Sequence, residues 1–160
     1  MTKIFKCILF SFVLLFATFA AGCNVESALK PAVVLEVPSI STYELHATAT
    51  DTASLPTTDV SVKSLSKISC FLKNYSINYT TQYGDPIPQL AVLSVPKEVK
   101  IDAEAEVAIT VKPYTSRVVD LFELSTSKIS PLTAEITLTF EDYNGNWVSK
   151  DAHCLLYAPE

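Results

Sequence analysis

Glycine is nearly missing from this chain, with three residues among 160. A phosphate cradle or dinucleotide turn needs closely spaced glycines. Past Gly22 there are only Gly84 and Gly145, far apart in sequence, so nucleotide chemistry is not expected. Methionine occurs once, at Met1, which removes a blue-copper site with a Met axial ligand. Histidine occurs twice, as His46 and His153, neither in a recognisable catalytic motif, and there is no Gly-x-Ser-x-Gly elbow. Positive charge is also short, with twelve Lys and Arg against seventeen Asp and Glu. Binding to a phosphate backbone needs a basic face, so nucleic acid is not an expected partner. No apolar run reaches the ~20 residues that span hydrocarbon.

The longest apolar run, Cys7 to Ala21, follows Lys3 and Lys6 and ends in small residues, the layout of a secretory signal peptide. It closes as Phe19-Ala20-Ala21-Gly22-Cys23. This segment resembles the lipobox of bacterial lipoproteins, with Ala20 standing where that family most often has Leu. The resemblance implies cleavage before Cys23, lipidation of its thiol with a diacylglyceryl group, and commonly a further N-acyl chain such as palmitate. Several chains anchor stably where one holds only marginally. The expected organisation is therefore a cleaved signal peptide over 1–22, a lipidated Cys23 with a tether over 23–30, and one domain over 31–160. Asn24 follows the cysteine where Asp would resemble an inner-membrane retention signal. The implied location is the bacterial cell envelope, at the outer membrane where the organism has one.

Without residues 1–22, ten basic side chains face seventeen acids, and the remaining length suits one domain with a hydrophobic core. Of the four cysteines, Cys7 leaves with the signal and Cys23 takes lipid, so Cys70 and Cys154 remain in an oxidising compartment. A bridge would close a loop of about 84 residues and contribute about 4 to 5 kcal/mol. Two separate buried thiols are the alternative, and spacing does not choose between them.

Beyond the tether the apolar pattern alternates with period two. Ala105, Val107, Ile109 and Val111 alternate with polar residues, as do Ala134, Ile136, Leu138 and Phe140. Further strands are expected over 32–37, 43–50, 60–62, 68–80, 90–95 and 147–157. Seven or eight short strands with Pro-, Asp-, Asn- and Ser-rich turns predict an all-β immunoglobulin-like β-sandwich. Between Arg117 and Ser125 the spacing changes: Val118, Leu121 and Phe122 share a helical face, which predicts one short helical crossover.

Two register details follow. Ile68, Cys70 and Leu72 have the opposite parity to Tyr75, Ile77 and Tyr79, so a β-bulge or break is expected near Lys73 and Asn74. At Asp142-Tyr143-Asn144-Gly145-Asn146-Trp147, a two-residue Asn-Gly turn would pair Phe140 with Ser149, mixing a core face with a polar one. A three-residue loop with left-handed Gly145 pairs Phe140 with Val148 and Ala134 with Cys154. It leaves Lys150 inward, opposite Leu138. Cys70 and Cys154 then both point into the core, which favours a Cys70–Cys154 bridge.

His46 and His153 each share a strand face with a carboxylate, a pairing common on solvated strands, and no metal site or catalytic residue is expected. The loop around Gly145 is faintly like a calcium loop, but it lacks enough carboxylates and reads as a turn. Tyr83 and Tyr143 fall in loops, and Trp147 falls outward opposite Glu141. Exposed, they are candidate ligand or partner contacts; alternatively Trp147 covers the open end of the sandwich. The stretch Ala134 to Tyr157, with Phe140-Glu141-Asp142-Tyr143-Asn144-Gly145-Asn146, resembles the closing hairpin of immunoglobulin-like or fibronectin type III-like domains of bacterial surface lipoproteins.

These readings together predict a lipid-anchored, non-enzymatic binding or structural module. Its partners would be the membrane, through the lipid, and an envelope protein or glycan met by loops or sheet edges. No cofactor is expected beyond the covalent lipid on Cys23. The alternative is a small envelope hydrolase or metal-binding protein using His46 or His153.

Overall fold

A computed structural model of the chain describes residues 30–47, 55–124 and 129–159. The signal segment, Cys23 and the tether up to residue 29 lie outside the described residues, as do Thr48 to Thr50 of the second expected strand. Ala32–Glu160 forms one compact unit.

The alternating segments become eight strands among the described residues. In order they are β1 (Leu35–Ile40), β2 (Glu44–His46), β3 (Thr58–Ser64), β4 (Cys70–Thr81), β5 (Leu93–Ile101), β6 (Glu106–Val111), β7 (Leu132–Asp142) and β8 (Trp147–Tyr157). A helix, α1 (Ser116–Leu124), lies between β6 and β7, as the change of spacing predicts. Val118 is its buried contact, with Leu121 and Phe122 partly buried beside it and Asp120 and Glu123 exposed. Thr115 caps it, its hydroxyl and carbonyl both accepting from the Val118 amide.

The strands form two sheets, a small one of order β1-β3-β6 and a large one of order β2-β8-β7-β4-β5. Every pairing is antiparallel except β2 with β8. The expectation holds at its coarser level: the domain is mostly β in two sheets with a single helix among the described residues. It differs from a clear immunoglobulin-like sandwich because one sheet is a curled half-barrel. Val60, Val62, Ile109 and Val111 of the small sheet and Leu72, Ile77, Ile136, Leu138 and Phe140 of the large one are buried. Burial of this kind contributes about 1.5–3 kcal/mol per large aliphatic or aromatic side chain. Two buried tyrosines tie the chain before α1 to the large sheet. Tyr79 donates its hydroxyl to the Pro113 carbonyl at 2.9 Å, and Tyr114 donates to that of Tyr157 at 2.5 Å. Burial pushes both hydroxyls up to about 12.

Both register expectations hold. β4 shifts register between Leu72 and Asn74 against both of its neighbours, so Leu72 and Tyr75 both stay in the core. Across the β7–β8 hairpin Phe140 pairs with Val148, Ile136 with Ala152 and Ala134 with Cys154, with Gly145 at φ 83°. Lys150 sits opposite Leu138 and is half-buried, so its aliphatic stem lies along the inner face. Free strand edges are guarded. β1 carries Pro38 at an irregularity between Glu36 and Ser39. β5 carries Pro96, and its Lys97 ammonium donates to the Thr110 carbonyl of β6 at 2.5 Å.

The hairpin is held by Asp142, a carboxylate only 4% exposed. One oxygen accepts from the amides of Asn144 (2.8 Å) and Asn146 (2.9 Å). The other accepts from the Asn146 side-chain amide and from the Val33 amide, both at 3.0 Å. Burial alone would raise its pKa, but the hydrogen bonds from Asn146, Val33 and Asn144 outweigh it and hold the carboxyl below the ordinary value. The stabilisation is therefore complete above the unfolded-state value near ~3.9 and drains away as pH falls through the lower folded value. Asp142→Ala strands buried donors and is expected to lower the unfolding free energy by about 2–4 kcal/mol in urea titration. Asp142→Asn should also lose part of the stability change that the wild type shows between about pH 5 and about pH 2.

Candidate functional site

The outward side chains of the large sheet run in rows across its strands. At the hairpin end one row is Trp147, Glu141, Phe71 and Lys100, on β8, β7, β4 and β5. Lys73 lies over the Phe71 ring, 5.4 Å from its centroid, and its ammonium is 3.2 Å from Glu141 and 4.0 Å from Glu98. The Tyr143 ring stands 5.3 Å from that of Phe71. Lys100 pairs with Asp102 at 2.7 Å, and that hydrogen bond and charge hold its ammonium above the ordinary value. Trp147 is 59% exposed and Tyr143 62%. Of the two readings of Trp147, the structure supports the exposed one.

Tyr83, also exposed, does not join this cluster. It follows Thr81, which pairs with Leu132 at the start of β7, whereas Tyr143 follows Asp142 at the end of that strand. The three aromatics therefore serve two ends of the domain. Phe71 and Lys73, which complete the cluster, were not singled out from the sequence. Their outward parity beside Cys70 and Leu72 was the available signal.

Towards the other end of the sheet, a shallow depression is lined by Thr133, Glu135, Thr137, Asp151 and His153. His153 faces Glu135 across the strands, as expected from the hairpin register. Glu135 accepts from the Asn78 side-chain amide at 3.0 Å, Asp151 from the Thr137 hydroxyl at 2.7 Å, and Tyr43 meets the His153 ring edge-on at 5.6 Å. His46 stacks on Tyr157 at 4.6 Å, and Tyr157 is four residues beyond His153 on β8, about 13 Å along the strand. Both histidines are exposed, so they do not build one shared site. Among the described residues no three His, Cys, Asp or Glu side chains are grouped to hold a metal ion. Near Gly145 the Asp142 oxygens are already taken up by N–H donors, so the loop is a turn held by its own amides.

The expected Cys70–Cys154 bridge is corrected. Both residues point inward and are fully buried, but as free thiols. Cys70 pairs with Asp142 and Cys154 with Ala134, eight residues apart along β7, which is about 26 Å. A disulfide needs Cα atoms within about 7 Å. Burial, with the Asp142 charge added, pushes the Cys70 thiol up to about 11, and burial pushes that of Cys154 up to about 12. Neither is a reactive nucleophile at neutral pH. Under non-reducing conditions both thiols should resist alkylation in the native protein and react fully in denaturant, with mass spectrometry finding no peptide that links them.

No protein-family model matches the chain, and no curated protein does. Among solved structures it is similar to alkylpurine DNA glycosylase AlkC of Pseudomonas fluorescens bound to DNA containing an abasic site analogue, with TM-score 0.44 and 15% identity. The match covers 84% of this chain and 33% of that one, so this chain spans about a third of the other's length. This neighbour is a DNA-bound enzyme. It stands against the expectations of a non-enzymatic binding or structural module and of no nucleic-acid partner, which are carried no further. At that identity and TM-score the likeness assigns neither DNA nor a reaction to this chain.

Proposed function

We propose that this chain is an exported lipoprotein that holds a β domain at the surface of a bacterial envelope membrane, with Cys23 as the acylated residue. The observation that carries this reading is the run Phe19-Ala20-Ala21-Gly22-Cys23, placed directly after Lys3, Lys6 and the apolar stretch. The cysteine stands where the thiol must be for lipidation, and Asn24 behind it favours an outer-membrane destination where one exists. No helix among the described residues is long and apolar enough to cross a membrane. On this reading attachment comes from the acyl chains, which hold stably when several act together.

The finer description of the domain as immunoglobulin-like belongs to the same proposal. It is supported by two sheets enclosing one core, by the closing hairpin β7–β8 and by the single helical crossover. The parallel β2–β8 pairing and the curl of one sheet depart from that pattern.

Metabolic labelling of the full chain in a bacterial host with radioactive palmitate tests the anchor. The wild type is expected to take up label and sediment with membranes. Cys23→Ser should lose the label and leave the membrane fraction, and an unlabelled wild type would overturn the proposal.

A further inference from the structure

The end of the domain at which the chain enters is also the end that displays Tyr143 and Trp147. Val33 donates to Asp142 in the hairpin, Val34 donates to the Ser66 hydroxyl at 3.3 Å, and Leu65 donates to the Val34 carbonyl at 2.8 Å. Tyr143 donates to the Ser69 carbonyl at 3.3 Å, and Glu104 to that of Ser66 at 3.2 Å. The N-terminal segment, the β3–β4 loop, the β5–β6 loop and the β7–β8 hairpin are thus sewn into one surface. Four large apolar side chains stand out from it: Val34 (55% exposed), Leu65 (52%), Tyr143 and Trp147.

We propose that this surface is a footing on the lipid bilayer, with Trp147 and Tyr143 lodged at headgroup level and Leu65 and Val34 beside them. The proposal rests on the lipid-anchor reading of Cys23. Tether length selects the occupant. From Cys23 to Ala32 the chain can reach at most about 32 Å. β7 alone is about 34 Å long, and Tyr83, Leu124 and Val92, exposed elsewhere on the domain, lie outside the four segments that form this surface. The lipid therefore joins the chain at the hairpin end, nearer to Tyr143 and Trp147 than to Tyr83, which lies by the start of β7. Chemistry points the same way, because tyrosine and tryptophan combine an apolar ring with a polar edge and favour the membrane–water boundary. The charges here do not form a basic patch: Lys100 is paired with Asp102, and the exposed Lys30 and Lys67 belong to joined segments that also carry the exposed Glu104. The footing is thus apolar and aromatic, suited to zwitterionic headgroups and only weakly sensitive to salt.

Trp147 is the only tryptophan of the chain, so its fluorescence reports on this surface alone. The palmitate-labelled full chain would be reconstituted into phosphatidylcholine vesicles carrying some lipid spin-labelled near the headgroup. Trp147 emission is expected to shift to the blue and to be quenched by the shallow label, with little change on adding salt. Tyr143→Ser combined with Leu65→Ser, both exposed positions, should cut the quenching by about twofold or more while circular dichroism stays unchanged. Labelled protein whose Trp147 emission remains that of an aqueous indole would overturn the footing and leave the anchor standing. A shift that follows protein concentration without lipid would assign the surface to a second copy of the chain and also overturn it. Absence of palmitate would remove the Cys23 reading and the footing with it.

Discussion

The Asp142 carboxylate is the constraint on which the organisation of this domain turns. It is almost fully withdrawn from water, and a buried carboxylate is tolerated only when its oxygens are matched by donors. Three backbone amides and one side-chain amide meet that need. Two of the amides, of Asn144 and Asn146, belong to the hairpin loop and set its length. A three-residue loop ending in left-handed Gly145 then fixes the register of β7 against β8, and with it which face of β8 enters the core. The remaining amide, of Val33, belongs to the segment through which the chain enters the domain. One charged group thus couples a local turn to a contact that spans 109 residues of sequence.

That coupling explains why the exposed aromatics and the start of the domain share one end. Had the N-terminal segment met the sheet at the other end of β7, Tyr83 would lie beside it in place of Tyr143 and Trp147. The basic and acidic side chains at the hairpin end largely satisfy one another, with Lys73 held between Glu98 and Glu141 and Lys100 on Asp102. Exposed pairs of this kind contribute little to stability. Their effect here is to leave the end without a strong field of either sign.

Much of the local structure was legible in the sequence because strand faces obey a two-residue period. The parity change between Leu72 and Tyr75 called for a bulge, and β4 has one there. The conflict created by a two-residue turn at Asn144-Gly145 called for a longer loop, and the pairing of Phe140 with Val148 follows from it. The change to helical spacing at Val118, Leu121 and Phe122 located α1. The candidate site was less legible. Tyr143 and Trp147 were visible as loop and outward residues, but Phe71 and Lys73 reach them only across the β4–β7 pairing, which no local pattern reports. The order of the five strands in the large sheet and the parallel β2 are likewise products of how strands remote in sequence assemble.

The two inner cysteines mark the boundary between what sequence and structure each determined. Periodicity alone established that Cys70 and Cys154 face inward, because side-chain direction depends on each residue's own strand and its near neighbours. Whether they could meet depended on how far along β7 each one's strand was docked. β4 and β8 flank β7 and place the two thiols at opposite ends of it. The apolar stretch, Cys23 and the faces of the strands were thus determined by the sequence itself. The separation of the thiols, and the meeting of the chain's point of entry with Tyr143 and Trp147, were decided only by the tertiary structure, because strand offset is set by packing across the whole core and by the donors that Asp142 gathers.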